Sequence, residues 1–105
     1  MNDIVAIVKK IRNRQYEFSK HAVDQTILRN ISVSEVEQAM SDNAVIIEDY
    51  PNDKYGPSCL ILGYTKKGRP LHIQCSYSSR WLIKIITLYQ PDPELWLKDR
   101  IRKLK

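Results

Sequence analysis

Two histidines, His21 and His72, stand in the 105-residue chain, each with an arginine close by. Imidazole is the side chain whose ordinary titration lies nearest neutral pH, and a guanidinium is a permanent cation shaped to grip phosphate oxygens. His21, Gln25 and Arg29 recur four apart, so on a helix they share one face as a polar row of about 12 Å. Such a row can follow about two nucleotides of a strand. Arg69 precedes His72, which alternates with apolar residues as His72, Gln74 and Ser76 against Leu71, Ile73, Cys75 and Tyr77. That period of two predicts a strand with His72 on the more polar face. Two imidazoles and two cations are the parts of phosphodiester transfer: a base, an acid, and charge to stabilise the oxyanion.

Further candidates surround these four. Ile83, Ile85, Thr87 and Tyr89 alternate along the last strand-like run and are expected to present a hydroxyl and a phenol on one face. Tyr64 offers a ring on which a base can stack, and Lys66 and Lys67 offer charge to a phosphate. The plainer alternative is that the histidines cap or pack and the tyrosines fill the core. Two histidines without a third ligand at metal spacing predict no metal, and nothing resembles a cofactor loop or an activated nucleophile.

Positioning these residues requires particular elements. Ile4, Ile7, Val8 and Ile11 recur at helical spacing, with Lys9, Lys10, Arg12 and Arg14 on the other sides. Gln15 to Phe18 reads as a short extended piece. Ser19 can cap a helix over about Lys20 to Asn30. Ser32 and Glu35 form a capping box for a short helix whose buried stripe is Val33, Val36 and Met40. Ala44 to Asp49, Ser58 to Thr65, Leu71 to Tyr77 and Trp81 to Tyr89 read as strands, the last three as an antiparallel meander with tight links at Lys66–Gly68 and Ser78–Arg80. Asp92 as cap and Pro93 at the first position predict a closing helix with Leu97, Ile101 and Leu104 on its apolar side. The expected fold is α+β: N-terminal helices packed on a mainly antiparallel sheet, with a C-terminal helix, as a single domain over 1–105.

Charge is uneven. The chain carries net +5, distributed as +3 over residues 1–30, −5 over 31–50 and +7 over 51–105. Basic surface favours a polyanionic partner and also serves solubility. No apolar run approaches the roughly 20 residues of a membrane span, and Asp3 sits where a secretory signal needs positive charge. A bacterial-type cytoplasm is the expected location, with Cys59 and Cys75 as reduced core thiols.

The combination of Phe18, Ser19, Lys20, His21 and Ala22 with Arg29, Ile31 and Ser32, the loop from Tyr50 to Pro57, Gly63, Tyr64, Gly68, Arg69, Pro70, Leu71, His72, Thr87 and Tyr89 resembles domain-of-unknown-function family 4258, over about Tyr16 to Trp96. That family resembles the RelE/BrnT-like toxins of type II toxin-antitoxin systems. The resemblance implies a RelE-like fold, an activity on messenger RNA, and pairing with a small antitoxin, often an MqsA-like zinc-finger protein. Gln25 stands where the family commonly carries Arg, which removes a charge from the helix row. The expected function is metal-independent RNA cleavage by His21 and His72, with Arg69 and Arg29 on the phosphate and Tyr89 orienting it. Gln25, Lys66, Lys67, Tyr64 and Thr87 would bind the strand. The alternative is a module that binds nucleic acid or protein without catalysis.

Overall fold

The computed structural model describes residues 4–54 and 56–104; the expectations resting on Asp3 and on Tyr55 within its loop lie outside them. Helix α1 (Ile4–Arg12) buries Ile7, Val8 and Ile11, as its apolar spacing predicts. Strand β1 (Tyr16–Phe18) leads into α2 (Lys20–Leu28), whose Ser19 cap accepts a hydrogen bond from the amide of Ala22. Helix α3 (Val33–Ala39) opens with the full capping box of Ser32 and Glu35. Its buried residues are Val36, Ala39 and the cap residue Met40, whereas Val33 is half exposed, so the stripe is one turn shorter than expected.

Strands β2 (Val45–Tyr50), β3 (Ser58–Tyr64), β4 (Pro70–Ser76) and β5 (Ile83–Tyr89) follow. The sheet order is β1-β5-β4-β3-β2, antiparallel throughout except where β1 lies parallel to β5. The meander is as predicted, but Trp81 stays outside β5 and is 77% exposed in the preceding loop. Gly68, at φ 85°, makes the tight β3–β4 link with its amide donating to the carbonyl of Thr65. Gly63 has a different reason to be glycine. A Cβ there would stand 2.1 Å from the carbonyl oxygen of Ala39, so the bare backbone lets α3 lie against β3.

One face of the sheet carries Cys59, Ile61, Leu71, Ile73, Cys75, Ile83, Ile85 and Leu88 into a cluster shared with α1, α3 and Ala22 of α2. Both cysteines are free and buried there, directly opposite each other across β3 and β4. Ile83 and Ile85 share this face, but Thr87 and Tyr89 do not. The β4–β5 register shifts from Gln74↔Thr87 to Cys75↔Ile85, which leaves Ile86 as an extra residue and reverses the alternation beyond it. The bulge therefore turns Thr87 and Tyr89 to the opposite face, correcting the simple alternation expected from sequence.

The largest departure is at the C-terminus, where the expected helix is absent. Asp92 does start a turn, accepting at its carbonyl from the amides of Leu95 and Trp96. The chain then forms a hairpin of β6 (Trp96–Leu97) and β7 (Ile101–Arg102), with Lys98 and Asp99 at positive φ. Leu97, Ile101 and Leu104, the expected apolar side, are 49%, 56% and 98% exposed. Burial of Trp96 against the sheet replaces burial of that weaker stripe. No helix among the described residues is long and apolar enough to cross a membrane.

Candidate functional site

The site lies where α2 runs along β5: Ala22 joins the core cluster, whereas His21 reaches Thr87 on the other face of the sheet, which the C-terminal hairpin covers at His72. Helix α2 packs along β5, and Ala22 is its buried residue. Its polar row runs over β5 as the spacing predicts. His21 Nε2 lies 3.1 Å from Thr87 Oγ1, and the ring is exposed. Further along, Arg29 Nε donates to Gln25 Oε1 at 2.5 Å, leaving Arg29 at the surface with its charge close enough to act on the Tyr89 phenol. Val23 and Ile27, on another side of the helix, are 44% and 74% exposed.

Beside His21 opens a cleft of about 710 Å³ whose walls include Ser19, Ser76, Arg80, Lys84 and Ile86. Glu17 faces Arg80 at 3.7 Å and Lys84 at 3.3 Å, so two cations share one carboxylate and the wall keeps a positive excess. Neither Arg80 nor Lys84 stood out in the sequence. The available signal was Lys84 itself, a charge interrupting an otherwise apolar strand.

His72 has a different environment from the one expected. It is fully buried, because the face it shares with Leu62 and Tyr89 is covered by the hairpin. Trp96 stands at 90° to its ring with centroids 4.4 Å apart, and Tyr89 packs at 5.2 Å. The Asp99 carbonyl, which can only accept, receives a hydrogen bond from His72 Nε2–H. Burial pushes the His72 pKa down despite that carbonyl, so the neutral ring leaves Nδ1 to accept from the Tyr89 hydroxyl 3.3 Å away. Burial likewise raises the Tyr89 phenol.

Arg69 is also committed. Its guanidinium donates to Glu35 at 3.1 Å, to the carbonyls of Arg29 and Asn30 at 3.1 and 2.9 Å, and to Gln90 Oε1 at 2.8 Å. It ties the α2–α3 link to β4. Glu35 is held below the usual carboxylate range, first by the Ser32 amide and then, against some burial, by Arg69. Tyr64 donates to Asp99 Oδ2 at 3.0 Å and so holds the hairpin turn. Lys66 and Lys67 are exposed in the β3–β4 link, where the Lys66 amide donates to Gln38 Oε1. The structure thus groups His21, Gln25, Arg29 and Thr87 at the surface, with half-buried Tyr89 at their margin against His72, and sets His72 and Arg69 beneath or behind them.

Residues missed from the sequence complete the hairpin side: buried Trp96, half-buried Glu48, Tyr50 and Asp99, and exposed Arg102. Arg102 Nε donates to Glu48 Oε2 at 2.8 Å, and its guanidinium lies 4.7 Å from the centre of the Trp96 ring. Among the described residues no three His, Cys, Asp or Glu side chains gather in a way that could hold a metal ion.

Among the described residues the fold and site define an α+β protein with three helices and a mainly antiparallel five-stranded sheet, bearing an exposed histidine where α2 meets β5. Residues 18–90 match the family model described as domain of unknown function (DUF4258), and the chain belongs to that family. No curated protein and no solved structure matches it.

Proposed function

We propose that the protein is a RelE/BrnT-like toxin that binds single-stranded RNA along α2 and β5 and cuts it without a metal, using His21 as the proton-transfer group. The observation that carries this reading is the exposed row of His21, Gln25 and Arg29 laid over Thr87 and Tyr89, beside a basic cleft. His21 accepts the proton of a ribose 2′-hydroxyl. The freed oxygen attacks the adjacent phosphorus, the bond to the 5′-oxygen breaks, and that oxygen takes a proton from a water that His21 in turn reprotonates, which returns the ring to its starting state. A 2′,3′-cyclic phosphate and a 5′-hydroxyl result. Lys84, in the cleft wall beside His21, stabilises the added negative charge, Arg29 holds a phosphate further along the row, and His72 acts from below by fixing the Tyr89 ring. A small antitoxin would cover this basic surface in the resting complex.

A second reading, RNA binding without cleavage, is favoured by one specific fact: only His21 of the two imidazoles is accessible. Purified protein incubated with single-stranded RNA and a chelator separates the two. Cleavage that falls about 10²- to 10⁴-fold in His21→Ala supports the enzyme. Salt-sensitive binding with no product supports the binding module, and no binding at all rejects both.

A further inference from the structure

Past His72, the covered face ends in an arrangement that none of the roles above uses. Trp96 is 5% exposed and fixed edge-on against His72, which makes its ring a rigid platform. The Arg102 guanidinium lies over that ring, 4.7 Å from its centre. Its Nε and Nη2 donate to the two oxygens of Glu48 at 2.8 and 3.1 Å, and the Tyr50 hydroxyl donates to the same carboxylate. An aromatic face below and a carboxylate at the edge therefore define a slot. What fills it is planar, stacks on a ring, and presents two parallel N–H donors along one edge.

Guanine has that description. Its N1–H and N2–H groups form a paired donor edge that a carboxylate can accept as it accepts a guanidinium. Adenine and cytosine place an acceptor beside their amino group, and uracil sets a single N–H between two carbonyls, so none of them matches both oxygens of Glu48.

The present occupant is carried by a short, exposed element. Strand β7 has two residues, both exposed, and Leu104 beyond it is 98% exposed. The turn before it needs left-handed backbone at two non-glycine residues, Lys98 and Asp99. Glu48 and Tyr50 lie within the residues that match the family, and the hairpin lies beyond them. We propose that Arg102 is an internal stand-in for a guanine base, and that the slot of Glu48, Tyr50 and Trp96 binds an unpaired guanine of RNA when β7 swings aside. The inference rests on the RNA reading above and names a base preference for it.

The test is calorimetric titration of wild type, Arg102→Ala and Arg102→Ala/Glu48→Gln with guanosine, adenosine, cytidine and uridine monophosphates. Arg102→Ala should bind the guanosine nucleotide about tenfold or more tightly than wild type does, and by a similar factor over the other three. Adding Glu48→Gln should abolish that preference, and ethylguanidinium should compete with the guanosine nucleotide in Arg102→Ala. Equal binding of all four, or none, in a variant whose circular dichroism matches wild type overturns the slot. If Arg102→Ala loses its fold, Arg102→Thr gives the same readout, because it keeps a strand-forming residue in β7 and is too short to reach Glu48. RNA binding without a guanosine preference rejects the slot alone; a guanosine preference without RNA binding rejects the RNA reading alone.

Discussion

His21 and His72 stand on the same side of the sheet, yet one meets solvent and the other meets Trp96, Tyr89 and a backbone carbonyl. The difference comes from what covers each position. Helix α2 rests on β5 through Ala22, and its first turn leaves His21 at the edge of the cleft. The hairpin rests directly on His72. An identical side chain is therefore available for chemistry in one place and is part of the packing in the other, and their two arginines divide likewise. Arg29 bonds a neighbouring side chain on its own helix, whereas Arg69 joins two helices to a strand.

The strongest way to break this contrast is to truncate each imidazole. His72→Ala leaves the Asp99 carbonyl, the Tyr89 hydroxyl and the Trp96 edge without their partner inside a closed face, and should cost about 3 kcal/mol of stability. His21→Ala should cost less than about 0.5 kcal/mol, as expected for an exposed side chain. Urea unfolding of both variants measures this directly. Similar losses would mean that the environments are not as different as their geometry.

The arginines offer a smaller version of the same comparison. Arg69→Ala removes donors from Glu35, two backbone carbonyls and Gln90, and should cost about 2 kcal/mol. Arg29→Ala should leave the unfolding midpoint nearly unchanged while weakening RNA binding and lowering its salt dependence by about 0.7 in log-log slope. An Arg69→Ala protein of full stability with poor RNA binding would return Arg69 to the phosphate-binding role expected from sequence.

pH sharpens the contrast further. The folded-state pKa of His72 is depressed below 6.5, chiefly by burial, so below that value the unfolded chain binds the proton more readily than the native one. Stability should therefore fall as pH drops through and below 6.5. Glu48 acts in a lower window. Burial raises its pKa, but the hydrogen bonds from Arg102 and Tyr50 prevail and hold it below 4.5, so its contribution is present above that value and lost further down. His72→Phe should remove the upper window and leave the lower one, as read from urea midpoints between about pH 7 and pH 3.

The local signals in the sequence were legible because each needs only neighbours along the chain. The Ser32–Glu35 box, the α1 stripe, the Ser19 cap and the β3–β5 meander all form where spacing placed them. The candidate site was legible by half. The row of His21, Gln25 and Arg29 follows from helical period, but the burial of His72 depends on Trp96, twenty-four positions away and outside any periodic pattern. The C-terminal stripe suggested a helix because Leu97, Ile101 and Leu104 fit one. Nothing in that spacing reveals that one buried indole outweighs three aliphatic residues left at the surface. The turn of β5 was hidden for a related reason: a bulge is a property of two strands, and Ile86 looks like any other strand residue until Gln74 and Cys75 fix the register.

The smallest effect tests the fine geometry of the open side. Thr87 faces solvent only in part, and its hydroxyl lies 3.1 Å from His21 Nε2. Thr87→Val keeps the β-branched shape that suits the strand and deletes the oxygen, so stability should change by less than about 0.5 kcal/mol. If the hydroxyl merely satisfies an exposed ring, RNA binding and cleavage will both persist. If it orients His21 toward the ribose, binding will persist while the cleavage rate falls about tenfold, and Thr87→Ser will restore it by returning the oxygen without the methyl group. That split between binding and rate is a result that a purely structural role for Thr87 would not produce.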